Sequence, residues 1–89
     1  MDWNFRNDQP IYSQLTQRLT EAIVSGIYAP GEKLPSVREL AVEAGVNPNT
    51  VQRALSELKR DGLVFSQCTA GRFVTENENM IANAKLRIA

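Results

Sequence analysis

Only three residues, Gly45, Val46 and Asn47, separate two stretches that each carry helical apolar spacing. So short a connection forces the two helices into a helix–turn–helix, and a glycine in the turn is a regular part of that unit. The first helix opens at Ser36-Val37-Arg38-Glu39, an S-x-x-E capping box. It carries Val37, Leu40 and Ala41 on one face and ends at Gly45. Asn47 suits the N-cap of the second helix, Pro48 its first turn and Gly62 its C-terminal cap. The pattern predicts a helix over 48–61. Advancing about 100° per residue places Val51, Ala54, Leu55 and Leu58 on one core-facing arc. Asn49, Arg53, Ser56 and Arg60 lie opposite, flanked by Thr50 and Gln52, with Glu57 at the edge. This row holds two cations, an amide and a hydroxyl, and no carboxylate.

The flanking segments complete a small domain. Ile11, Leu15, Leu19, Ala22 and Ile23 predict a core-forming helix at 10–25, with Pro10 in its first turn and Asp8 or Gln9 as cap. Pro30-Gly31 is a turn, and Glu32 to Leu34 reads as a short strand. After Gly62 the period changes. LVFSQ (63–67) and RFVT (72–75), joined by Cys68-Thr69-Ala70-Gly71, read as a β-hairpin. The tail places Ile81, Ala84 and Ile88 at helical spacing and stops within the pattern at Ala89. The expected class is mostly α with a small β-hairpin: a winged helix-turn-helix over 1–75, then the start of a C-terminal helix over 76–89. Trp3 and Phe5 are expected to cover the core.

Composition narrows the function by exclusion. The chain has no histidine and one cysteine, which removes Ser-His and Cys-His nucleophilic sites and a structural zinc cluster. We expect no enzyme, no metal and no cofactor. Cys68 has no resolving partner, so a redox role is not expected. No apolar run approaches the roughly 20 residues that span a bilayer, and MDWNFRND lacks the pattern of a signal peptide. The expected location is cytoplasmic, with no membrane partner. Ten acids balance ten bases. Locally, Lys33, Arg38, Arg53, Lys59, Arg60 and Arg72 face Glu39, Glu43, Glu57 and Asp61, a surplus of two positive charges over 33–75.

The acid-free row suits double-stranded DNA. Arginine can donate twice to guanine, Asn or Gln can pair with adenine, and Ser or Thr reaches phosphates or base edges. A helix N-terminus adds unpaired N–H groups and partial positive charge. Asn47, Asn49 and Thr50 lie at that end, where a recognition helix meets the bases. A solvated helix face is the plainer alternative.

PIYSQL, GIYAPGEKLPSVRELA, GVNPNTVQRALSEL, DGLV and GRFVT, in that order, resemble the winged helix-turn-helix domain of GntR-type transcription regulators over about residues 9–75. GVNPNTVQRAL, GRFVT and the N-terminal DWNF most resemble the short YtrA-like branch. The resemblance implies a bacterial cytosolic repressor that binds an inverted repeat as a homodimer. It implies a DNA contact for Arg38, a backbone-proximal cap for Ser36, and base or phosphate contacts for Asn47, Asn49, Thr50 and Gln52. Gly71 matches the glycine that brings the wing to the minor groove. Family members often carry cations at the wing tip, where this chain has Gln67-Cys68-Thr69, leaving Arg72 as the cation nearby. Arg53 and Arg72 complete the candidate set. Larger relatives carry a separate ligand-binding domain, which this chain does not show, and a small-molecule effector is unknown. Short C-terminal helices of the YtrA-like kind dimerise, and Ile81, Ala84 and Ile88 match the beginning of one. The neutral total charge and weak wing leave one alternative, a winged-helix protein–protein module without DNA affinity.

Overall fold

A helix presents one stripe to its neighbours, and three such stripes build this core. The computed structural model describes Phe5, residues 9–67 and residues 70–88, with side chains as far as Leu86. The elements run α1 (Ile11–Val24), α2 (Val37–Ala44), α3 (Pro48–Arg60), β1 (Val64–Gln67), β2 (Gly71–Val74) and α4 (Glu78–Ile88). Val51, Ala54, Leu55 and Leu58 of α3 are all buried, as the helical arc requires. They meet Leu15, Leu19, Ala22 and Ile23 of α1, and Leu40 and Ala41 of α2. Val64 and Val74 close the core from the hairpin, with Leu63 just before it.

Local chemistry sets the helix ends that matter. Ser36 Oγ accepts the Glu39 N–H at 3.1 Å, and the Ser36 N–H donates to Glu39 Oε1 at 3.4 Å, so the capping box is complete. Gly45 ends α2 in the left-handed region, at φ 69°, where a Cβ would be strained. Asn47 Oδ1 accepts the Asn49 N–H at 2.8 Å, with Pro48 in the first turn of α3. The start of α1 differs from expectation. Pro10 occupies the cap position without any side-chain cap, and Gln9 serves through its carbonyl, which accepts from Gln14 Nε2 at 3.0 Å. Asp8, the other expected cap, lies outside the described residues, as do Trp3, Cys68 and Thr69.

The hairpin is antiparallel, with Val64 opposite Val74 and Gln67 opposite Gly71. Its second strand therefore begins one residue earlier than the sequence pattern suggests. The expected strand over 32–34 shrinks to a single bridge, Lys33 opposite Phe73. Ladder bonds still tie this strap to the free edge of β2. Leu34 N–H donates to the Arg72 carbonyl at 2.8 Å, and Val74 N–H to the Glu32 carbonyl at 2.9 Å. Pro35 has no backbone N–H with which to continue the pairing. Tyr28 is buried in the core; burial, then Glu43 and Glu32, push its phenol above the usual tyrosine range.

Phe5 packs partly buried against the core, as expected of an N-terminal cover. Helix α4 lies along α1, with Ala84 fully buried and Ile81 half-buried against the same core. The apolar spacing of the tail thus serves this chain's own domain. Leu86 points the other way and is 74% exposed. Ile88 lies outside the residues whose side chains are described. No helix among the described residues is long and apolar enough to cross a membrane.

Candidate DNA interface

The candidate residues gather in two places. Ser36 and Arg38, at the start of α2, share one open cleft with Gly71 and Arg72 of the wing. Its walls are Lys33–Glu39 on one side and Ala70–Arg72 on the other. Asn49, Thr50 and Arg53 line a second depression, closed by Ile11 and Tyr12 of α1. Asn47 and Gln52 are exposed on α3 near its N-terminus.

Hydrogen bonding divides the polar row of α3 into engaged and available groups. Ser56 Oγ donates to the Gln52 carbonyl at 2.9 Å, one helical turn back. Arg60 is drawn onto the Glu57 carboxylate. The guanidinium of Arg53 lies 3.7 Å from the centre of the Tyr12 ring, in cation–π range. The C-terminal half of the row is therefore largely satisfied within the protein. The side chains of Asn49, Thr50 and Gln52 have no polar partner among the described residues, so a ligand can meet them without first breaking a bond.

Two candidates have part of their capacity committed. Asn47 Oδ1 caps α3, which leaves its amide protons free to donate. It can hold a phosphate oxygen, whereas the paired donor and acceptor that read adenine are no longer both open. Ser36 Oγ accepts within the capping box and keeps its hydroxyl proton for donation. Arg38 forms no ion pair among the described residues, although Glu39 is its neighbour; the capping box holds that carboxylate instead.

Gly71 has φ 108°, and a Cβ built on it would lie 3.0 Å from Lys33 Cε and 3.8 Å from Lys33 Nζ. The glycine is needed both for its backbone conformation and for the close approach of this lysine. Lys33 and Tyr12 are the residues that sequence reasoning missed as site members. Tyr12 sits within PIYSQL one turn from Leu15, but its ring meets Arg53 only once α1 packs on α3. Lys33 reaches the wing through a pairing between residues 40 positions apart, which no local period encodes.

The model of the GntR family, bacterial regulatory proteins, matches residues 11–74, which span the helix-turn-helix and the wing. The chain belongs to the GntR family. It is 46% identical over 72 residues to the HTH-type transcriptional repressor YtrA of Bacillus subtilis, over 81% of this chain and 55% of that protein. Its YtrA-like character agrees with that likeness. A GntR family transcriptional regulator from Listeria monocytogenes superposes with a TM-score of 0.91 at 38% identity, over 94% of this chain and 74% of that one. The DNA-binding domain of AraR in complex with operator ORE1 superposes at a TM-score of 0.72 and 27% identity, over 84% and 94% of the two chains. These likenesses establish a winged helix-turn-helix regulator rather than an enzyme. The chain spans just over half the length of YtrA.

Proposed function

We infer that this chain is the DNA-binding part of a transcription repressor, which sets α3 into the major groove of an operator. The observation that carries the reading is the open N-terminal end of α3: Asn49, Thr50 and Gln52 are available, no acid lies among them, and α2, which carries Arg38, packs on α3. The AraR neighbour, in complex with its operator, supports a DNA-binding use of the same fold. In this docking Gln52 and Asn49 face base edges. Thr50, Asn47, Ser36 and Arg38 hold the sugar–phosphate backbone, Arg53 lies beside them against Tyr12, and Gly71 and Arg72 approach from the wing. A protein-binding module without DNA affinity is not favoured by the family relationship.

Residues 1–75 form the DNA-binding unit in this reading, and 76–89 begin the element through which the longer protein dimerises. Since Ile81 and Ala84 face the chain's own core, a dimer seam would use the outward side that carries Leu86. Two-fold symmetry would make the operator an inverted repeat, and the site of action would be cytoplasmic. Duplex selection from a random pool, followed by a salt titration on the winning sequence, tests the reading. Phosphate contacts give a steep fall of log K with log salt. Flat, weak binding to every duplex would sink it.

Gln52→Ala separates base reading from backbone holding. We expect discrimination at one position of each half-site to fall by about tenfold, since a bidentate amide contact is worth about 1–3 kcal/mol. Non-specific affinity should change far less. Repeating the selection with the variant checks this, and an unchanged base preference would remove Gln52 from the readout.

A further inference from the structure

The wing tip of this chain lacks the cations that would hold a phosphate there, yet the cleft beneath it does not. Three cations, Lys33, Arg38 and Arg72, line that cleft and come from three different segments. Lys33 arrives on the strap paired with β2, Arg38 on the first turn of α2, and Arg72 on β2 itself. None of the three forms an ion pair among the described residues. One acid, Glu39, also lines the cleft, and it accepts the Ser36 N–H within the capping box. Like charges gathered without a counterion repel one another, and an anion between them removes that repulsion.

We propose that Lys33, Arg38 and Arg72 form a seat for one backbone phosphate of the operator, with Lys33 in the part that a basic wing tip would otherwise play. The proposal rests on the DNA-binding reading above and adds Lys33 to its contact residues. The position of Lys33 is built rather than incidental. Its backbone is pinned by the ladder bonds of Leu34 and Val74, and its side chain runs along Gly71, where a Cβ would press on Cε. A lysine so placed lines the cleft between wing and α2, with its side-chain end beside Gly71. A phosphate contact carries no sequence information, so Lys33 sets affinity and the seating of the wing, not base choice.

The test compares Lys33→Ala, Lys33→Arg and Lys59→Ala on the selected duplex. Lys59 is exposed near the far end of α3 and controls for loss of charge at a distance. One released counterion contributes a slope of about 0.9 in log K against log salt, or about fivefold in affinity near 0.15 M. Lys33→Ala should therefore bind about fivefold more weakly, with a slope shallower by about one unit and an unchanged base preference. Lys33→Arg should restore most of the affinity, and Lys59→Ala should stay within twofold of the parent. Equal losses from Lys33→Ala and Lys59→Ala would overturn the seat, as would an unaltered slope for Lys33→Ala alongside a weakened Arg38→Ala. Absence of salt-dependent binding by the unmodified chain would instead overturn the DNA reading beneath it. The cleft could also take a free phosphate. A rise in the melting temperature of the DNA-free protein with millimolar inorganic phosphate, at fixed ionic strength, would assign it to a small-molecule anion and count against the operator.

Discussion

Leu55→Ala should lower the melting temperature by about 12–24 °C, the largest stability effect expected in this domain. Leu55 is 1% exposed and lies on the arc of α3 that meets both α1 and α2. Truncating such a leucine loses its transfer free energy and leaves a cavity, at about 3 kcal/mol within a range of about 2–5. A domain of this size shifts by about 4–8 °C per kcal/mol. Total stability for about 90 residues is on the order of 5–10 kcal/mol, so a substantial share disappears at one site. The neighbouring Ser56→Ala provides the contrast. Ser56 is exposed and its hydroxyl bonds back to the Gln52 carbonyl, so its loss should cost at most about 0.5 kcal/mol. Thermal unfolding followed by circular dichroism measures both. Similar melting temperatures for the two variants would mean that α3 does not present the Leu55 face to the core. Helix α3 also carries the candidate contacts, so DNA binding by Leu55→Ala should fail with the fold rather than through any single contact.

Local rules made most of the frame legible. The capping box at Ser36 and Glu39, the Asn47 cap, the left-handed Gly45 and the buried arc of α3 all follow from neighbours within one helical turn. The α1 cap escaped because Pro10 itself occupies the cap position, where a side chain with no donor or acceptor gives no signal. Strand pairing was harder. The bond between the strap and β2 joins residues far apart in sequence, and a three-residue strand has too few positions to show alternation. Helical spacing shows which face of α3 is polar, but not how its side chains are engaged. Helical spacing alone weights Asn49, Arg53, Ser56 and Arg60 equally. Their partners do not: Arg53 rests on Tyr12 of another helix, and Arg60 on Glu57 of its own. Periodicity says which way a side chain leaves the helix, not what it meets. The family pattern, which favours the first turn of α3 and Arg38, agrees with the groups that remain available. The tail shows the same limit of periodicity, because one apolar stripe looks alike whether it faces a partner or, like Ile81 and Ala84, the chain's own core.

Arg38→Ala should weaken operator binding by about 10–100-fold while leaving the melting temperature nearly unchanged. Arg38 is exposed on the first turn of α2, and its side chain has no ion pair among the described residues to lose. Its removal therefore costs the fold little beyond helix propensity, which alanine improves. The cost falls on the complex. A guanidinium that meets a phosphate forms charge-assisted, often bidentate bonds, and truncation leaves the anion facing a cavity instead. Loss of one such contact is worth about 1.5–3 kcal/mol, hence the expected range. Arg38→Lys should recover only part of it, since an ammonium keeps the charge but not the planar fork. Lys85→Ala, on the exposed side of α4, should bind like the parent. Fluorescence anisotropy with the selected duplex distinguishes these cases, read beside a thermal melt of each variant. Equal affinity for Arg38→Ala and Lys85→Ala would show that the start of α2 faces away from the DNA. The docking of α3 would then have to be turned about its own axis, which would carry the wing away from the duplex as well.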